Sequence, residues 1–570
     1  MLSLPLEPTD DLASPAFRDA ASCAKWLGQL QLTNLHQVHG VVRTQLNEFN
    51  RYPMRGLERL RTLELLGETV SHLQTDYAKK LAARKLPLSE DELTIFVSIL
   101  DLWQQMVHGY QRCLQALLAG DKSLAAYAPL LCQRCLMYTG LQIFEHLRTG
   151  YEFEGKLWQQ LHALYAFSAD KCLHLEKISV LLQLHALYDI NKDHAAQLEK
   201  MADELDRNAT SCHTIYVKTL LTCYARPAEL PRGQALLLDR WLTQWSLIIP
   251  VEHHYATSKG DAPPLAVDLA SLQGLQALSL IKPSPQPTGS ENSSLRYLPM
   301  APLSKLLRVK TILLQQGQLP QHLDLGESGS SVDCAAFLGF LHQCWCEDQG
   351  ERRAAERRRV ALAAHLCYGL EDIFAHIAQR PFQSVSKNVG ADSLGHKQIA
   401  TFGRVLAEDQ HRQPTGFCPS LEAWQIEDES LLGARLLRAG ITGDRLGLNQ
   451  LVAVRPTDAK AFILGTLSWA HVTLAGRLSA GVRYLPGVAQ AVIIESVGVN
   501  LTAMEKSAAA LLLPAVAALK TPSSLLVPRN WFQAGRVIEI SRLDNQKQKV
   551  KLEFSVECGV DYERVSFAPA

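Results

Sequence analysis

Glu422-Ala-Trp-Gln-Ile-Glu-Asp-Glu-Ser-Leu-Leu-Gly-Ala-Arg-Leu436 is the stretch that decides how the C-terminal third of the chain is read. Trp424 and Ile426 alternate with polar residues at the period of a strand. Asp428, Glu429 and Ser430 are short polar residues that bend back on their own backbone, so a tight turn follows. Gly433 marks either a bulge or a close backbone approach. Ala434, Arg435 and Leu436 then open a second strand. The spacing thus predicts strand, turn, strand.

Upstream, Glu351-Arg-Arg-Ala-Ala-Glu-Arg-Arg-Arg-Val360 is an arginine cluster that runs into the apolar stretch Val360–Tyr368. Arg353-Ala-Ala-Glu-Arg357 spells RxxxR, and Asp428-Glu-Ser430-Leu-Leu-Gly433 spells DxSxxG. In this order the two pieces resemble the signature of the PilZ family of small six-stranded β-barrels, most of which bind cyclic di-GMP. Leu464-Gly-Thr-Leu-Ser-Trp469 and Ala480-Gly-Val-Arg-Tyr-Leu485 resemble the later strands of that family. The resemblance implies a ligand site built from Arg352, Arg353, Arg357 and Arg359 with Asp428, Ser430 and Gly433. A guanidinium offers a planar fork to guanine O6 and N7 or to phosphate, together with a flat cationic face. The Asp428 carboxylate only accepts, which suits guanine N1–H and N2–H₂. Ser430 would bond the base or a phosphate, and Gly433 would let the backbone come close.

Two features depart from the family pattern. The motifs lie far apart, so residues 369–420 hold an insertion, with a helix near Glu371 and a mobile loop from Ser384 to Thr415. The arginine register also stands open. The first strand is read from Val360, which Arg359 directly precedes, but the partner four residues before Arg359 is Ala355. Arg353 and Arg357 have the family spacing and not that offset.

The rest of the chain supports a sensor attached to a larger body. Its 570 residues allow about two to four domains. Lys+Arg and Asp+Glu both number 57, so no global field favours a nucleic acid polymer or an anionic membrane. No apolar run is long enough for a membrane span and no secretory leader is seen. The 13 Cys are scattered through apolar runs, as buried thiols of a reducing cytosol would be. A cytoplasmic location is expected, with recruitment to a membrane or polar complex by a partner left open.

Residues 1–250 read as helices almost throughout, an all-α region of helical-hairpin or solenoid-like type that would bind a protein partner. Ser89-Glu-Asp-Glu92 is a capping box. Residues 251–345 are a mixed middle module, with a linker at 282–294 and helices at Pro302–Gly317 and Asp333–Cys346. Residues 346–500 form the PilZ-like barrel. Residues 501–570 are a helix, Ala503–Leu519, plus a small β extension. The fold class is therefore α+β and multidomain.

Enzyme signatures are missing. No HExxH, Walker A, GxSxG or GxGxxG pattern occurs. Cys132-Gln-Arg-Cys135 has no second pair to complete a metal site, and His253-His254 reads as exposed loop. Arg51-Tyr-Pro-Met-Arg55 repeats the RxxxR spelling without a strand or DxSxxG after it, and is a coincidence. The expectation is a non-enzymatic cyclic di-GMP receptor of bacterial signalling, with no metal or cofactor, acting on motility, type IV pili, surface attachment or biofilm. The alternative is an adaptor whose PilZ-like barrel binds protein only.

Overall fold

The computed structural model describes residues 4, 8–30, 33–81, 85–178, 209–256, 258–281, 294–326, 330–347, 357–382, 421–440, 443–496, 507–544 and 546–570. The linker at 282–293, Arg352, Arg353 and the loop from Ser384 to Thr415 lie outside them. Two compact units emerge, one within residues 1–353 and one formed by residues 354–570 together with Lys85–Pro87.

In the first unit the helices α1 (Ala20–Gly28), α2 (Leu35–Arg51), α3 (Gly56–Ala78), α4 (Glu90–Leu118), α5 (Ala128–Thr149), α6 (Gly155–Asp170), α7 (Cys212–Tyr224) and α8 (Arg232–Trp245) follow one another. Chain neighbours pack pairwise, α3 on α4, α4 on α5 and α5 on α6, as a helical-hairpin array requires. Ser89 caps α4 and Glu92 returns the bond, so the predicted capping box is present. The array is locked by a buried pair: Arg134 donates to both Glu64 oxygens at 2.8 and 2.7 Å, and Tyr110 Oη donates to the same carboxylate. Arg51 bonds Asp10 and Glu48, a structural use of the accidental RxxxR. Cys132 and Cys135 are buried inside α5, and burial pushes the Cys132 thiol up to about 12.

The middle residues belong to the same unit. Strands β1 (Leu265–Asp268), β2 (Gln276–Ala277) and β3 (Leu295–Leu298) make a small sheet in the order β2-β1-β3, followed by α9 (Ala301–Gln315) and α10 (Ser331–Cys346). Three buried side chains tie this part to the array. His162 bonds the Gln273 carbonyl, Trp241 donates to Leu325 O, and Trp345 donates to Leu221 O.

The second unit holds two closed barrels. Strands β4 (Arg358–Tyr368), β5 (Glu422–Ser430), β6 (Gly433–Arg438), β7 (Leu451–Pro456), β8 (Ile463–Val472) and β9 (Leu478–Tyr484) close in the order β4-β5-β6-β9-β8-β7. This is the six-stranded barrel that the family resemblance implies, with β5 and β6 as its signature hairpin. Strands β10 (Gln490–Ser496), β11 (Ser507–Leu513), β12 (Ser524–Pro528), β13 (Val537–Arg542), β14 (Lys547–Cys558) and β15 (Tyr562–Pro569) close in the order β10-β11-β12-β15-β14-β13. The two orders are the same order, so the second barrel repeats the topology of the first.

This corrects the sequence reading in two places. The tail is a complete barrel and not a small extension, and its first strand is β10, which the sequence reading places within residues 346–500. Ala503–Leu519 is not a helix. Its described part is β11, a short loop with an isolated bridge at Val516, and a 3₁₀ segment at Ala517–Leu519, while residues 503–506 lie outside the description. The cause is burial on both faces. Ala508, Ala510 and Leu512 face the core of the second barrel, whereas Ala509, Leu511 and Leu513 face helix α11 (Leu370–Ala378) and the first barrel. A strand buried on both sides is an unbroken apolar run and carries no period to tell it from a helix.

Helix α11 follows β4 through Gly369, whose φ of +80° admits glycine readily. It buries Ile373 and Phe374 in the core shared by the two barrels. The remaining described insertion ends at Phe382.

At the start of β5, Glu422 anchors the first barrel. It accepts from Tyr368 Oη at 2.7 Å, Arg438 at 2.8 Å and the Asp444 amide at 2.5 Å. Burial alone would raise its pKa, but these donors outweigh it and hold the carboxyl below the ordinary 4.5. A depressed pKa stabilises the fold above the unfolded value and loses that contribution as pH falls through the folded one. The stability gap between wild type and Glu422→Gln is therefore expected to be full above pH 4.5 and to close below it. Urea denaturation at a series of pH values measures this, and a gap independent of pH would contradict it.

Candidate functional site

The described signature residues, Arg357, Arg359, Asp428, Ser430 and Gly433, come together on the first barrel. Strand β4 begins at Arg358, two residues earlier than Val360, so Arg357 is the residue directly before it. Arg357 therefore has both the RxxxR spacing from Arg353 and the offset that the sequence reading finds only for Arg359. It donates to Asp428 Oδ1 at 2.5 Å. Arg359 pairs with Asp428 across the β4–β5 ladder and is exposed.

Strand register builds the rest. Asp428 lies opposite Arg435, Arg435 opposite Gly481, and Gly481 opposite Trp469. Residues directly opposite share a face of the sheet. One row thus reads Arg359, Asp428, Arg435, Gly481, Trp469. The next row reads Ser430, Gly433, Arg483, Thr466. The inward residues Ile426, Leu436 and Ala480, which flank the first row, and Ala434 and Val482, which lie between the two, are buried. From β5 to β8 the first row covers three inter-strand steps of about 4.8 Å each, a length suited to a dinucleotide.

Each signature position has a local cause. Glu427 sits at an irregularity between Ile426 and Asp428, which turns Asp428 outward beside Arg357. Ser430 Oγ closes the hairpin by accepting from the Leu432 amide at 3.3 Å and donating to Gly433 O at 3.3 Å. Gly433 answers the question its spacing left open. A Cβ there would lie 2.2 Å from the Val482 carbonyl oxygen, so the glycine serves a close approach of β6 and β9. A Cβ on Gly481 would sit 2.1 Å from Trp469 Nε1, so the indole lies over that glycine. Trp469 also stacks on His471 with ring centroids 5.4 Å apart.

Two arginines of this face form ion pairs, Arg357 with Asp428 and Arg435 with Glu427 and Asp428. Arg435 donates through Nε to Glu427 at 2.6 Å and reaches Asp428 at 3.8 Å. These pairs are partly exposed, so each holds little free energy, about 0.2–1 kcal/mol, and a better anion can displace it. The arrangement offers guanidinium forks, one acceptor-only carboxylate and a flat aromatic surface within one stretch of sheet. That set matches the edges, faces and phosphates of guanine nucleotides.

Arg435, Trp469 and Arg483 are not read as site residues from the sequence. Arg435 is within reach of such a reading, since it stands two positions from Gly433 and so shares its face. Trp469 and Arg483 depend on which strands become neighbours. Among the described residues, no group of three or more His, Cys, Asp or Glu is arranged to hold a metal. Also among them, no helix is long and apolar enough to cross a membrane.

A row traced through the corresponding strands of the second barrel has a different composition. Ala491, Leu511, Leu526, Arg564 and Glu557 follow one another across β10, β11, β12, β15 and β14. Three of these five are apolar and buried against α11 and the first barrel. The repeated topology thus presents a charged outer face in one copy and a packing face in the other.

Comparison with known proteins locates the chain. Residues 21–181 and 177–254 match the N-terminal domain of the cyclic-di-GMP receptor FimW. Residues 497–570 match the FimW C-terminal β-barrel domain. No curated protein sequence matches the chain. The first matched stretch is the helical array and the second covers β11–β15 of the second barrel, with the charged face of the first barrel between them. These matches span more than half of the chain, which therefore belongs to the FimW family of cyclic-di-GMP receptors.

Proposed function

We propose that the chain binds cyclic di-GMP on the outer face of the first barrel and passes the signal to a protein partner through its helical region. The observation that carries this reading is the Arg357–Asp428 pair at the mouth of the signature hairpin. Guanine presents acceptors at O6 and N7 and donors at N1 and N2. Arg357 meets the first set and Asp428 the second, so the base enters by exchanging one set of hydrogen bonds for an equivalent one. Arg359 and Arg435 lie beside it for phosphate, and Trp469 supplies a surface for stacking. Arg352 and Arg353, which lie outside the described residues, are the further guanidinium groups that the family pattern assigns to the ligand. The role is that of a receptor and not an enzyme, in the cytoplasm, and the regulated process is motility, type IV pili, surface attachment or biofilm.

Calorimetric titration of the full-length chain with cyclic di-GMP tests this. Saturable binding is expected, weakened about tenfold by Trp469→Ala, since an aromatic–base stack contributes about 1–3 kcal/mol. A folded chain that gives no binding heat at high ligand concentration would sink the reading.

A further inference from the structure

Arg483 stands in the second row of the charged face, opposite Gly433 on β9. It shares that face with Arg435 and Gly481, and its side chain is half exposed. Yet it does not point its charge at the signature residues. It forms an ion pair with Glu557, which lies on β14 of the second barrel. In the repeated topology β14 holds the place of β8, the strand that carries Trp469 in the first barrel. One guanidinium of the nucleotide face is thus held by a carboxylate of the neighbouring barrel.

Glu557 does not depend on Arg483. It also accepts from Tyr562 Oη at 2.8 Å, and it pairs across the β14–β15 ladder with Arg564, a largely buried cation bonded through Nε to Ser524 at 2.9 Å. If Arg483 swings away, the carboxylate keeps a hydroxyl donor and a positive neighbour. Two guanidinium groups beside one carboxylate also repel each other. Release of Arg483 is therefore cheap, and a phosphodiester on the charged face offers it a bidentate anion in exchange.

We propose that Arg483 is a further phosphate-binding cation of the nucleotide face and that Glu557 competes with the nucleotide for it. Ligand uptake and the ion pair between the two barrels are then mutually exclusive, so occupancy of the first barrel is reported to the second. The coupling is reciprocal: whatever factor Glu557 takes from ligand affinity, the ligand takes from the barrel–barrel pair. This proposal rests on the first barrel being the cyclic di-GMP site.

The test is a double-mutant cycle read by calorimetry with cyclic di-GMP and the full-length chain. Glu557→Gln keeps the shape and the Tyr562 bond but removes the charge. It is expected to tighten binding about threefold, the size of a released surface ion pair. Arg483→Ala is expected to weaken binding about tenfold, as for loss of one charged hydrogen bond. In the Arg483→Ala background, Glu557→Gln is expected to change nothing. Arg483→Lys, which keeps the charge and the packing of the stem, is expected to fall between wild type and Arg483→Ala. Wild-type affinity in all variants would overturn the proposal while leaving the nucleotide site standing. Weaker binding by Glu557→Gln would also overturn it, since the carboxylate would then support the ligand rather than compete. A wild-type chain that takes up no nucleotide removes the site itself, and this proposal with it.

Discussion

Replacing Arg357 by alanine in the full-length chain is expected to weaken cyclic di-GMP binding up to about a hundredfold, because one bidentate guanidinium–guanine contact contributes about 1–3 kcal/mol and its loss also frees Asp428 from alignment. Asp428→Ala is expected to match it, for the other edge of the same base. The two changes should not add fully, since the residues touch each other and the same ligand group. Neither should unfold the chain. Both side chains are partly exposed, and an ion pair of that kind contributes less than about 1 kcal/mol to stability. The exchange variant, with Arg357→Asp and Asp428→Arg together, restores an ion pair but reverses donor and acceptor along the base edge. It is expected to melt like wild type and to remain unable to bind. Calorimetry beside a thermal melt of each variant separates the roles. Singles that bind like wild type would show that the pair only fastens a strand to a hairpin.

The second large effect is on the fold. Gly433→Ala is expected to destabilise the first barrel by about 3 kcal/mol, the upper range for an overpacked site. The added Cβ meets the Val482 carbonyl oxygen at 2.2 Å, its carbon at 3.2 Å and the Arg483 Cα at 3.3 Å. All three are backbone atoms, so no rotamer change relieves the contact. Relief requires parting β6 from β9, where Gly433 pairs with Arg483 and Ala434 with Val482. Gly339 in α10 is the control: a Cβ added there meets nothing within 4 Å, so its alanine variant should be neutral or slightly stabilising. Urea denaturation followed by tryptophan fluorescence gives both values. An unchanged midpoint for Gly433→Ala would mean that β6 and β9 can separate at no cost. Because Arg435 and Arg483 flank this contact, ligand affinity should fall with stability.

The sequence carried the signature of the first barrel in a form that local chemistry could reveal. Alternation at Trp424 and Ile426, turn residues at Asp428 to Ser430, an arginine cluster before an apolar strand and a capping box at Ser89 are all short-range patterns. Each is set by backbone sterics or by hydrogen bonds within a few residues, so each is legible without knowing what packs where. With the PilZ resemblance beside them, they supported a helical first half, a six-stranded barrel after it, and Arg352, Arg353, Arg357, Arg359, Asp428, Ser430 and Gly433 as candidate site residues. What only the tertiary structure decided is everything that depends on neighbours distant in the chain. The run from Ala508 to Leu513 is a strand because it is buried on both faces, and burial on both faces erases the periodicity that would announce it. The second barrel was hidden for the same reason. Arg435, Trp469 and Arg483 join the site through ladder pairing across β6, β9 and β8, and Glu557 reaches Arg483 from another barrel altogether. Strand order is chosen by which apolar faces bury one another when the barrel closes, a long-range competition that no stretch of residues encodes alone.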